Sequence, residues 1–149
     1  MSYSLNFKAD NVSIFKRFSF VRATSRWAEE IGPVMEAAIR AEAPVGKKNG
    51  GRLRESITFR KKTGISGVAL EFGSNVPYAK FVEDGTPPHL ILPRRATRLR
   101  FESRGGDIVY SPYVHHPGTK PNPFARRAVE RMSPLIAESF KANVEAEFL

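Results

Sequence analysis

The sequence predicts an α+β fold: antiparallel β-hairpins forming a sheet, packed by an N-terminal helix and a long C-terminal helix. Two pairs of short stretches with period-two alternation, one over residues 53–72 and one over 99–110, read as hairpins joined through Gly-containing turns. Apolar residues three and four apart mark an amphipathic helix toward each end of the chain. Strands and helices come in runs without βαβ alternation and without a long internal repeat, which argues against a parallel sheet or a solenoid.

Residues 1–23 carry two signals. Leu5 and Phe7 alternate as in a short strand, and Ile14, Phe15, Phe18 and Val21 then recur at helical spacing. Ser25 is an expected N-cap with Glu29 and Glu30 in the first turns, and Trp27, Ile31, Val34, Met35, Ala38 and Ile39 fit one helical face. Pro33 is expected to kink or restart this helix, and Pro44 to end it. Gly46 to Gly51 reads as a mobile basic loop. Leu53 and Ser56 to Phe59, then Val68, Leu70 and Phe72, form the first hairpin through Thr63 to Gly67.

A short helix is expected from Pro77, with Tyr78, Phe81 and Val82 on one side, until Asp84-Gly85-Thr86-Pro87-Pro88 breaks it. Leu99 and Phe101, then Ile108 to Tyr110, form the second hairpin, with Gly105-Gly106 at its turn. Residues 112–123 hold four prolines and read as an extended arm. The closing helix has Asn122 as its expected cap, Pro123 at its first position, and Phe124, Ala128, Met132, Leu135, Ile136 and Phe140 in register. Pro134 is expected to kink or divide it.

A length of 149 residues suits a single domain spanning 1–149. No cysteine is present, which excludes disulfides, thiolate metal sites and cysteine nucleophiles. No run approaches the ~18 apolar residues of a membrane span, and the N-terminus lacks the apolar block of a signal peptide, so synthesis in the cytoplasm and no membrane partner are expected.

The net charge of +9 is local in origin. Residues 45–68 hold seven basic and one acidic group, and residues 94–122 hold six and two. The clusters are Lys47, Lys48, Arg52, Arg54, Arg60, Lys61 and Lys62, then Arg94, Arg95, Arg98, Arg100, Arg104 and Lys120. Such stretches are commonly solvated; the sharper reading is a surface that meets DNA phosphate or an acidic protein, with Lys47, Lys48, Arg94, Arg95, Arg98 and Arg100 as the contacts. Aromatics interleave with the cations at Phe7-Lys8, Phe15-Lys16-Arg17-Phe18, Phe59-Arg60 and Arg100-Phe101, but their periodic positions assign them to the core.

Enzyme signatures are missing: no GxGxxG, GxxxxGK[ST], GxSxG or HExxH occurs. His89, His115 and His116 lack metal-ligand spacing and read as loop histidines with ordinary hydrogen bonds. Glu83-Asp84 beside Gly85-Thr86 reads as a turn in which Glu83 pairs with a basic group. No catalytic residue, cofactor or metal is therefore expected; a small hydrolase built on Glu83 and His116 is the enzymatic alternative.

Three segments in this order resemble the tail-completion, or head–tail joining (neck), proteins of long-tailed bacteriophages. Ala43-Pro44-Val45-Gly46 followed by Gly51-Arg52-Leu53-Arg54-Glu55-Ser56-Ile57 is similar to the family's Pro-Val-x-x-Gly-x-Leu-Arg-x-Ser-Ile, with Lys47 to Gly50 inserted. Val76 to Thr86 is similar to Tyr-Ala-x-x-Val-Glu-x-Gly-Thr, and His116-Pro117-Gly118 to Pro123-Phe124 is similar to a His-Pro-Gly then Pro-x-Phe pattern. The resemblance implies a non-enzymatic virion protein at the head–tail junction. It implies a ring homo-oligomer of six copies, docked to head-closure, tail-terminator and tail-tube proteins and in transient contact with exiting DNA. Arg52, Arg54, Tyr78, Glu83, Gly85, Thr86, His116, Pro117, Gly118 and Phe124 are the turn, packing or interface positions it singles out. In such a ring, Glu71, Glu83 and Asp84 are candidates to face Arg52, Arg54 or the 94–104 arginines of a neighbour. The alternative function is a basic nucleic-acid-binding module.

Overall fold

The computed structural model describes residues 2–8, 14–46, 50–103 and 105–148, with the backbone alone for Phe7, Lys8 and residues 14–17. The fold is α+β, with antiparallel strands between a helix near each end. The chain divides into two compact units, one of residues 1–80 with 123–149 and one of Phe81–Asn122.

The first unit holds β1 (Ser2–Lys8), α1 (Ile14–Glu42), α2 (Arg52–Glu55), β2 (Ile57–Gly64), β3 (Gly67–Ser74) and α4 (Phe124–Phe148); α3 (Ala79–Asp84) runs across the boundary. The sheet order is β1-β3-β2, all antiparallel, with Tyr3 and Phe59 both opposite Phe72 and Leu5 and Lys61 both opposite Leu70. This register puts Phe72, Leu70 and Val68 on one buried face, and Thr58, Arg60 and Lys62 outward, as strand alternation requires.

Side chains of α1 close the edge of β2. Glu36 Oε2 accepts from Phe59 N at 2.9 Å, and Arg40 donates twice to Ile57 O, at 2.8 and 3.1 Å, while pairing with Glu36 at 2.8 Å. These bonds satisfy backbone groups that an edge strand otherwise leaves open.

Helices α1 and α4 pack antiparallel. Trp27 Nε1 donates to Ser139 Oγ at 2.8 Å and its ring meets Phe140 edge-on at 5.2 Å, while Met35, Ile39, Phe124 and Ala128 are buried. Arg22 pairs with Glu147 at one end, and Glu42 takes Arg127 and Arg131 at 3.3 and 2.7 Å at the other.

Several local expectations need correction. Helix α1 starts at Ile14, not Ser25, because the 14–21 pattern continues in phase into 27–39; Ser25 lies within it, its Oγ 3.3 Å from Thr63 Oγ1. Neither Pro33 nor Pro134 divides its helix: both are exposed, and Ile31 and Met35 in α1 and Ile136 in α4 are buried alongside them. Val34 and Leu135, each 44% exposed, fall outside the buried stripes. Helix α4 is assigned from Phe124, one residue after the expected first position Pro123, and Arg127 N donates to Pro123 O at 3.0 Å. Leu53 is buried on the one-turn helix α2 and not on a strand, with Ser56 Oγ bonding Leu53 O at 2.7 Å. Of the interleaved aromatics, Phe59 packs inward beside Phe72, whereas Phe18 and Phe101 are exposed; the side chains of Phe7 and Phe15 lie outside the description.

The second unit is made of two two-stranded ribbons, β4 (His89–Ile91) with β7 (Val114–His116) and β5 (Leu99–Glu102) with β6 (Ile108–Ser111). The proline-rich arm therefore contains the paired strand β7, turns at Gly118 and bridges to Thr86 through Thr119. Among the described residues no helix is long and apolar enough to cross a membrane.

Candidate interaction site

The second and third family-like segments meet in space. Thr86 and Thr119 exchange both backbone bonds at 3.0 Å, and their hydroxyls lie 3.1 Å apart. Asn122 N donates to Val82 O at 3.0 Å, so the two ends of the second unit lie side by side. Gly85 and Gly118 have φ of +74° and +84°, and a Cβ on either would overlap the opposite strand, on Thr119 O and Thr86 O respectively. Backbone conformation and interstrand space both demand glycine there. Pro117 is exposed beside this clasp.

His116 locks the turn by accepting from Gly118 N at its Nδ1, 3.1 Å away. His89, its β4 partner, stacks on it at 4.9 Å and places Nδ1 3.0 Å from Pro87 O, a carbonyl that only accepts; Nδ1 of His89 therefore carries the proton and Nδ1 of His116 does not. Both nitrogens are spent on turn geometry, and no group of three or more His, Cys, Asp or Glu among the described residues is placed to hold a metal.

Helix α3 starts at Ala79 and not at Pro77, which leaves Tyr78, 42% exposed, outside it; the helix buries Ala79 and Glu83, the latter 1% exposed, and leaves Phe81 57% exposed. Phe124 is fully buried at the start of α4. Arg54 Nη2 donates to Ala43 O at 2.8 Å and to Ala41 O at 3.4 Å, tying off the end of α1, while Arg52 is exposed. Glu71 pairs with Lys62 at 2.7 Å. Of the charged groups expected to reach a neighbouring copy, Glu71, Glu83 and Arg54 are thus held within the chain, while Asp84 and Arg52 face solvent.

The second basic cluster is organised by the β5–β6 ribbon. Register places Arg100 opposite Tyr110 and Glu102 opposite Ile108 on one face, and Leu99 opposite Ser111 and Phe101 opposite Val109 on the other. Tyr110 and Ile108 are 58% and 47% exposed beside Arg100, and Arg94, Arg95 and Arg98 are exposed just before the strand. Lys47, Lys48 and Arg104 lie outside the described residues. Tyr110 and Ile108 were not singled out by sequence; the alternation of 108–110 signals a strand, but only the register puts them beside an arginine.

A family model described as "Bacteriophage HK97-gp10, putative tail-component" matches residues 9–85, just over half of the chain. The chain belongs to this HK97-gp10-like family. The match takes in α1, the Arg52–Ile57 segment, the β2–β3 hairpin and α3 up to Gly85. It ends before the His-Pro-Gly turn and the arginine ribbon. No curated protein and no solved structure matches the chain significantly. As an HK97-gp10-like protein, the chain is a structural component of a phage tail, its place is the virion, and its partners are other phage structural proteins.

Proposed function

We propose that this tail component works at the head–tail junction, as a tail-completion or connector (neck) protein. It assembles into a ring, six copies in the reading favoured here, and docks to the adjacent neck and tail rings without a catalytic step. The observation that carries this reading is the clasp at Gly85-Thr86 and Gly118-Thr119. It fixes the base of two extended ribbons before any partner arrives, and pre-organisation of this kind reduces the entropy lost on docking. The polar turn chemistry of His89 and His116 supports a constructional role over hydrolysis.

Deletion of the gene from the parent phage is the direct test. The expected outcome is filled heads and finished tails that accumulate unjoined, with joining restored when purified protein is added to the mixed lysate. Normal infectious particles after deletion would overturn the reading. A nucleic-acid module is the second reading, favoured by the exposed arginines at 94–100. Its signature is binding to arbitrary duplex DNA with a steep loss of affinity as salt rises.

A further inference from the structure

Among the described residues of Phe81–Asn122 no apolar side chain is buried, whereas Phe81, Leu90, Ile91, Leu92, Phe101, Ile108, Tyr110 and Tyr113 are each at least 36% exposed. Paired ribbons of three and four residues per strand gain little stability alone, so these side chains are held out at a cost that a partner's surface recovers. The exposed arginines of this unit are equally unspent. In the first unit Arg22, Arg40, Lys61, Lys62, Arg127 and Arg131 all sit in ion pairs, whereas no ion pair among the described residues includes Arg94, Arg95, Arg98 or Arg100.

We propose that the Arg100, Ile108 and Tyr110 face of the β5–β6 ribbon, with Arg98 exposed just before β5, is a docking surface for a second phage protein, one that presents carboxylates around an apolar or aromatic pocket. Resting on the docking role proposed above, it assigns that role to one face and one chemistry. Arginine and tyrosine side by side, flanked by an aliphatic group, is the composition that dominates protein–protein binding energy.

Glu102 shares this face and Asp107 follows in the turn, and both repel a phosphate backbone while leaving a protein partner free to answer them. The partner is a different protein and not a second copy, because the chain's own excess of positive charge repels a copy of itself. It carries +9 overall, and Glu29, Glu36, Glu42, Glu71, Glu145 and Glu147 are already paired.

The test is co-sedimentation of the purified full-length protein with tails, and separately with DNA-filled heads, prepared from the parent phage lacking this gene. Two double variants are compared with the native chain, R98E/R100E and I108S/Y110S, with R98Q/R100Q as a milder control. Circular dichroism, together with hydrogen-exchange protection at the Thr86 and Thr119 amides of the same unit, establishes that each is folded. The proposal expects both double variants to lose binding to one of the two particles tenfold or more, R98Q/R100Q to lose less than R98E/R100E, and the sedimentation coefficient of the free protein to stay unchanged.

Undiminished binding by both folded variants overturns the assignment of this face. A changed oligomeric state overturns it in favour of self-association, and loss of affinity for a 20-base-pair duplex with particle binding intact overturns it in favour of DNA. Failure of the native chain to bind either particle is a different result: it removes the docking role itself and the present proposal with it.

Discussion

The Phe59 ring lies so close to Gly32 that a methyl group on that glycine would overlap three of its carbons. Helix α1 is thereby drawn onto β2 at the level where Glu36 and Arg40 close the strand edge. Gly32→Ala should gain about 1 kcal/mol of helix propensity and lose about 1–3 kcal/mol to overpacking. The net expectation is a lower melting temperature. Adding Phe59→Leu should recover part of the loss, and a double-mutant cycle in urea would measure the coupling; strictly additive effects would refute it.

Trp27 is the chain's one tryptophan, so its fluorescence reports the α1–α4 packing directly. Ser139→Ala removes the hydroxyl that accepts from the indole and should cost about 1 kcal/mol. Trp27→Ala should cost about 3–5 kcal/mol by opening a cavity beside Phe140. Chemical denaturation followed by circular dichroism checks both.

Alanine at Gly85 or Gly118 combines a strained φ with a backbone overlap, and each should destabilise the clasp by about 2 kcal/mol or more. The damage should be confined to 81–122. Hydrogen exchange is expected to quicken at the Thr86 and Thr119 amides while the Trp27 unfolding transition stays put; a shift of the whole transition would contradict this.

Arg52 and Arg54 stand two residues apart with different duties. Arg54→Ala exposes the last carbonyls of α1 and should cost about 1–2 kcal/mol. Arg52→Ala should stay within about 0.5 kcal/mol, as exposed substitutions do. Thermal melts of the two single variants distinguish these outcomes.

Much of this architecture was legible because its signals are local. Period-two alternation located β2, β3, β5 and β6, and the two apolar helical stripes located α1 and α4. The misreadings concern competition between local and longer-range preferences. Pro33 and Pro134 read as kinks or as breaks, and the break is what the structure removes: burial on the opposite side of each helix outweighs one lost backbone bond. Leu53 read as a strand residue because a single helical turn leaves no periodicity to detect. At the candidate site, glycine and histidine in Gly85, His116 and Gly118 were visible as turn chemistry, yet their convergence depends on residues about thirty positions apart. The pairing of Arg100 with Tyr110 is a matter of register, which composition does not encode.

The two ends of the segment 81–122 are stitched together at Val82 with Asn122 and at Thr86 with Thr119. A segment whose two ends lie next to each other can be shortened to a tight turn, or exchanged for a relative's, without rerouting the rest of the polypeptide. With the docking role proposed above, such an exchange would change the partner that is recognised and leave the scaffold untouched.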